Sequence, residues 1–169
     1  EGTIQVESKQ NIGTKITITL PFYIAEKKDV YGKQETKKPS LSKEKPRRIL
    51  LAEDNALNAE IALELLKGAG FLVEHAADGQ ACVDMLSHAE DGYYDLILMD
   101  VQMPILNGYE TTKKIRQMED RKKAEIPILA MTANAFSEDR QAALEAGMND
   151  HVAKPIDMNV LLRVMMKYL

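Results

Sequence analysis

The chain has 169 residues, 45% apolar and 28% charged, with a formal net charge of −4 and one cysteine, Cys82. That length allows one ordinary domain with extra material or two small ones, and the composition is that of a globular protein. No apolar run approaches the ~18 residues of a membrane span, no secretory pattern opens the sequence, and a lone cysteine excludes an internal disulfide. A reducing, cytoplasmic setting is expected, with Cys82 as a buried thiol.

The net charge conceals a division. Residues 23–48 carry nine Lys/Arg against four Asp/Glu, whereas residues 49–169 carry eleven against twenty. Residues 1–22 balance. The acidic C-terminal part repels nucleic acid and is suited to concentrating cations, so no nucleic-acid partner is expected. The basic stretch reads as a solvated linker.

In chain order, the first 22 residues alternate: Thr3-Ile4-Gln5-Val6-Glu7-Ser8, a turn around Asn11 to Gly13, then Lys15-Ile16-Thr17-Ile18-Thr19-Leu20-Pro21. Two period-two runs joined through a glycine predict a hairpin. A lone hairpin is marginal in water, so this one reads as the edge of a larger sheet. Residues 23–46 are rich in Lys, Ser and Pro and predict a flexible linker, with the domain boundary near Pro46.

From Arg47, strand and helix patterns alternate strictly. Ile49 to Ala52 is a buried strand ending on Glu53 and Asp54, and Asn55 caps a helix carrying Ile61, Leu65 and Leu66, closed by Gly68 and Gly70. Phe71 to His75 is the second strand, and Asp78 caps a helix through Met85 and Leu86. Tyr94 to Asp100 is the third strand, followed by a helix from Gly108 to Met118. Pro127 to Thr132 is the fourth, followed by a helix over Ser137 to Ala146. Asp150 to Ala153 is the fifth strand, and an amphipathic helix runs from Asp157 to the terminus. Five βα units predict a five-stranded parallel sheet with helices on both faces, a doubly wound α/β domain.

Chemistry in such sheets collects at the carboxyl ends of the strands. The residues delivered there are Glu53 and Asp54, Asp100, Thr132 and Lys154. Three carboxylates crowded together repel unless a cation sits among them, and all-oxygen ligands favour a hard, partly hydrated ion such as Mg²⁺. A lysine and a hydroxyl opposite the metal make a receptor for a phosphoryl dianion, with a carboxylate available as nucleophile. Two other enzyme classes fit less well. A haloacid-type aspartyl phosphatase wants a carboxylate where Gln102 stands, and a flavodoxin relative wants a Gly/Ser/Thr-rich loop where Glu53 and Asp54 stand.

Four motifs now stand in order: Leu51-Ala52-Glu53-Asp54-Asn55; Met99-Asp100-Val101-Gln102-Met103-Pro104 with Asn107-Gly108; Ala130-Met131-Thr132-Ala133; and Lys154-Pro155. Residues 47–169 resemble the receiver domain of two-component response regulators, which implies a flavodoxin-like sheet of order 2-1-3-4-5. The resemblance makes Asp100 the phosphoacceptor. It places Mg²⁺ on Asp54, Asp100 and the backbone carbonyl of Gln102, with Glu53 acting through a metal-bound water. It has Lys154 pair with Asp100 and then with the phosphoryl oxygens, while Thr132 and the Ala133 backbone amide donate to the phosphoryl group. It makes Lys154–Pro155 cis, and puts His151 where many receivers carry a switch aromatic that follows Thr132. Asn134 and Gln102 fall at positions that tune dephosphorylation.

Gly2-x-Ile4-x-Val6-x-Ser8, Gly13-Thr14 and the Leu20-Pro21 ending resemble the last two strands of a histidine-kinase ATP-binding domain. Kinase tail, linker and receiver together imply a hybrid histidine kinase. Its receiver takes a phosphoryl group from phosphohistidine and passes it to a histidine phosphotransfer protein, or feeds back on the kinase. These residues carry neither an ATP site nor a phosphoacceptor histidine, so the receiver would catalyse only its own phosphorylation and dephosphorylation. The alternative is a degenerate receiver that is never phosphorylated and serves as a docking module.

Overall fold

The structure is a computed structural model and describes residues 2–10, 13–21, 46–133 and 137–169, with the backbone alone at 137–139. The expected linker and Asn134 lie outside, apart from Pro46. The chain divides into two compact units, 1–39 and 40–169.

In the first unit, β1 (Thr3–Lys9) pairs antiparallel with β2 (Gly13–Thr19) in a register that sets Ile4 opposite Ile18 and Val6 opposite Ile16. Alternation puts these four side chains on one face. Each is 60–70% exposed.

The second unit is built on β3 (Arg48–Ala52), β4 (Leu72–Ala76), β5 (Leu96–Asp100), β6 (Ile128–Thr132) and β7 (Asp150–Ala153). They form a parallel sheet of order β4-β3-β5-β6-β7, the order expected. The central strands β5 and β6 are buried along their whole length, which is why they read as unbroken apolar runs. Edge strand β4 is mixed in sequence and only partly covered.

Alternate residues of each strand supply two cores. Leu50, Ile97, Met99 and Ile128 face Cys82, Leu86 and Ile115 from α2 (Gly79–His88) and α3 (Gly108–Arg116), and Ala143 from α5 (Ser137–Ala146). Ile49, Leu51, Leu98 and Met131 face Ala62 and Leu66 from α1 (Ala56–Gly68), and Leu161, Val164 and Met165 from α6 (Met158–Met165).

The expected caps form. Asn55 Oδ1 accepts from the Leu57 and Asn58 amides, and Asp78 Oδ1 from Ala81. Asn107 and Glu110 close a reciprocal capping box. Strand β4 lies one residue later than expected, β5 and β6 begin two residues and one residue later, and the helices differ too. Helix α3 stops at Arg116, α6 stops at Met165, and a four-residue helix, α4 (Arg121–Ala124), precedes β6. Asp120 caps α4, which buries nothing and therefore leaves no apolar periodicity to read.

Candidate functional site

Each strand of the sheet ends on the same edge, and the chain there delivers polar groups. Glu53 follows β3, and Asp100 and Thr132 are the last residues of β5 and β6. Lys154 follows β7, its amide donating to the Thr132 carbonyl at 2.7 Å. Asp100 is 5% exposed, and Glu53 and Thr132 are also buried. Gly108 is required at this edge: a Cβ there would lie 2.3 Å from the Asp100 carbonyl oxygen, so only glycine lets α3 begin against the end of β5.

The sheet brings Glu53, Asp54 and Asp100 together, with one carboxylate oxygen of each within 4.8 Å of the others. Lys154 Nζ lies 2.5 Å from Glu53 Oε2 and 2.7 Å from Asp100 Oδ2, so one ammonium bridges two of the three carboxylates. The Gln102 amide donates to Asp100 Oδ1 at 3.0 Å. Asn58, one turn into α1, donates from Nδ2 to Glu53 Oε1 at 3.0 Å, and His75 Nε2 lies 2.8 Å from the Glu53 carbonyl oxygen. Sequence reasoning assigned no role to Asn58 and placed His75 only at the end of a strand. A polar residue facing the site from the first turn of α1 was the available signal for Asn58.

Burial pushes the Asp100 carboxyl above the ordinary aspartate range, and the nearby Glu53 charge adds to this; Lys154 and the Gln102 amide only partly offset it. Burial alone would lower Lys154, but its bonds to Asp100 and Glu53 prevail and raise it. Three carboxylates against one ammonium leave about two uncompensated negative charges. The donors are all oxygen. Such a group fits a hard divalent ion, which would supply the missing positive charge.

Ala133 is exposed and lines a cavity of about 400 Å³ with Glu53, Asn58, Ile61, Lys154, Pro155 and Ile156. The Lys154–Pro155 bond is cis, as expected. His151 stands apart from the carboxylates. Its ring lies 3.6 Å from Asp150 and beside a groove lined by Arg140, Leu144 and Tyr168.

Fold and site together define a class: doubly wound α/β domains that receive a phosphoryl group on an aspartate at the carboxyl edge of the sheet. Residues 49–166 match the response regulator receiver domain, and the chain belongs to that family. It is similar to Sensor protein EvgS of Escherichia coli K12, 35% identical over 162 residues covering 95% of this chain. Three hybrid signal transduction histidine kinases of Dictyostelium discoideum are 37–41% identical over 120–133 residues. The chain spans only 5–13% of the length of these curated relatives.

Among solved structures, the receiver domain of sensor histidine kinase PA1611 from Pseudomonas aeruginosa, which has a magnesium ion in its active-site cleft, is 39% identical. Its TM-score is 0.66, covering 73% of this chain and 98% of that one. The receiver domain of Saccharomyces cerevisiae Ssk1, solved with the histidine phosphotransfer protein Ypd1, is 30% identical with a TM-score of 0.66, covering 73% and 88%. The chain is thus a phosphorelay receiver of the kind hybrid histidine kinases carry. Receivers bind Mg²⁺ at an acidic cluster, and this chain has one. No described helix is long and apolar enough to cross a membrane.

Proposed function

We propose that Asp100 accepts the phosphoryl group, with Asp54, Asp100 and the Gln102 carbonyl holding Mg²⁺ and Glu53 acting through a metal-bound water. The observation that carries this is the recessed Asp100 carboxylate, held by Lys154 and the Gln102 amide within an excess of negative charge. An Asp100 oxygen attacks phosphorus in line as the P–N bond of a phosphohistidine breaks. The departing imidazole takes its proton from solvent. Mg²⁺ held by Asp54, Asp100 and the Gln102 carbonyl would supply the positive charge that the phosphoryl oxygens need. Lys154 is already on Asp100 and needs to move little to reach those oxygens, while the Thr132 hydroxyl and the Ala133 amide donate from the end of β6. Charge added at Asp100 re-pairs Lys154 and draws in Thr132, and His151, beside Ala130 in register, relays that movement to the α5–β7 groove.

Three further features support a relay rather than a degenerate docking module. The metal, lysine and hydroxyl positions are all filled. Helix α1 exposes Leu57 and Ile61, one turn apart at 65% and 50%, beside the site, an apolar strip suited to a helical partner. The similarity to EvgS extends through the first unit, whose uncovered apolar face suits packing against the rest of a kinase ATP-binding domain. The boundaries are then a kinase remnant at 1–22, a linker at 23–46 and the receiver at 47–169, in a cytoplasmic part of a hybrid kinase. The phosphodonor is the kinase's own histidine domain and the acceptor a histidine phosphotransfer protein.

Incubation with Mg²⁺ and phosphoramidate, followed by intact mass, tests this. The wild type gains one alkali-labile phosphoryl group and Asp100→Asn gains none. Equal labelling of both excludes Asp100 as acceptor. A wild type that stays unlabelled favours the docking module.

A further inference from the structure

Of the three clustered carboxylates, Glu53 is the most firmly gripped and Asp54 the least. Glu53 is 2% exposed and both its side-chain oxygens are engaged, Oε1 by Asn58 and Oε2 by Lys154. Its amide donates to the Ala76 carbonyl at 3.2 Å, and His75 Nε2 lies 2.8 Å from its carbonyl oxygen. Asp54 is exposed, and among the described residues no hydrogen bond or ion pair holds its carboxylate.

The bond from His75 stands where the sheet runs out. Strands β3 and β4 are in register from Arg48 opposite Leu72 to Ala52 opposite Ala76, and the Glu53 amide extends that parallel ladder by one bond. The next bond of such a ladder would run from the Asp78 amide to the Glu53 carbonyl. Asp78 has already left the strand to cap α2. His75 supplies a donor from within β4 instead. It sits opposite Leu51, which packs towards α1, so alternation puts the His75 ring on the side of the sheet from which Asn58 also reaches Glu53. A carbonyl oxygen only accepts, so Nε2 carries the proton of this bond.

The effect of the bond falls on Asp54. The Glu53 carbonyl and the Asp54 amide belong to one planar peptide, so a donor that fixes the carbonyl also fixes the plane from which Asp54 departs. The Asp54 carboxylate takes its place beside Asp100 from that backbone.

We propose that His75 is a positioning residue for the cation site: its N–H on the Glu53 carbonyl sets the Glu53–Asp54 peptide and so holds the Asp54 carboxylate in place for Mg²⁺. This rests on the Mg²⁺ reading above. Removing a hydrogen bond that orients a metal ligand lowers metal affinity by roughly 10–100-fold, and a single bond to a backbone carbonyl at a partly exposed site belongs at the lower end.

The test compares wild type, His75→Gln, His75→Phe and His75→Val. Titration calorimetry gives the Mg²⁺ dissociation constant, thermal melting in chelator gives the stability without metal, and phosphoramidate labelling is followed against Mg²⁺ concentration. Glutamine keeps an N–H donor at the end of its side chain, phenylalanine keeps a ring without one, and valine is a strand former without one. In His75→Phe and His75→Val the dissociation constant rises about tenfold, and the Mg²⁺ concentration for half-maximal labelling rises with it. Their melting temperature in chelator stays at the wild-type value, and so does their labelling rate at saturating Mg²⁺. His75→Gln binds Mg²⁺ within about twofold of wild type, because the donor is restored.

Wild-type affinity in whichever of His75→Phe and His75→Val folds overturns the proposal. So does a His75→Gln as weak as the other two, which would assign the contribution to the ring's packing. Failure of both donor-free variants to fold, or a fall in melting temperature that parallels the loss of affinity, makes His75 a folding residue and also overturns it. A wild type that binds no Mg²⁺ overturns the metal reading itself, and the proposal with it.

Discussion

The two ends of the same sheet handle charge in opposite ways. At the amino ends of the strands, each charged group is answered. Arg47 pairs with Asp95 at 3.0 Å, and Asp95 also accepts the Arg48 amide. Arg48 lies over the Tyr93 ring and donates to Glu74, which accepts from the hydroxyls of both Tyr93 and Tyr94. At the carboxyl ends, three carboxylates cluster and one lysine bridges only two of them. A closed network holds the fold together. An open one stores affinity for something absent from the chain.

The largest expected effect comes from removing Lys154, the only cation among the described residues at the open end. Lys154→Ala leaves Glu53, Asp54 and Asp100 facing one another and costs about 3 kcal/mol without metal. Millimolar Mg²⁺ recovers most of it, which chemical denaturation with and without the ion would measure. At the closed end Glu74→Ala removes three hydrogen-bond acceptances at a half-exposed site and costs about 1–2 kcal/mol. That loss is indifferent to Mg²⁺. If Mg²⁺ rescued both variants alike, the contrast between the two ends would be lost.

Asp100→Asn goes the other way and stabilises the metal-free protein by about 1 kcal/mol, a rise of roughly 2–4 °C in melting temperature. The sign follows from the raised Asp100 carboxyl. A group whose folded pKa lies above its unfolded one binds protons more tightly when folded. Its favourable contribution is therefore complete below the ordinary aspartate range and lost as pH rises through the folded pKa. The gap between Asp100→Asn and wild type should close in acid and open towards neutrality. A gap that ignores pH would refute the assignment.

The smallest effect concerns a residue outside both networks. Burial, with the Asp78 charge behind it, pushes the Cys82 thiol up to about 12. Native protein at neutral pH should resist iodoacetamide, and denatured protein should take up one equivalent.

Much of this was legible in the sequence, for particular reasons. Strands β5 and β6 are covered on both faces, so burial is written directly as apolar runs ending on Asp100 and Thr132. The caps at Asn55 and Asp78 are local and were readable, while those at Asn107 and Asp157 emerge only in the structure. Contacts across the sheet were not. Lys154 bridges to Glu53 over 101 positions, and no periodicity encodes that. Gln102 was expected to matter through its carbonyl, and the structure adds its amide, bonded to Asp100. The positive φ of Ile105, +69°, was invisible for the opposite reason: a β-branched residue type argues against that backbone.

The contrast between the two ends requires the open end to be a divalent-cation site. The most direct measurement is the melting temperature of wild type, Asp54→Asn and Glu74→Ala against Mg²⁺ concentration. A ion that binds only the folded state raises the melting temperature as it saturates. We predict a saturable rise in wild type and Glu74→Ala and little or none in Asp54→Asn. A wild type unmoved by Mg²⁺, or an Asp54→Asn that rises equally, would contradict it.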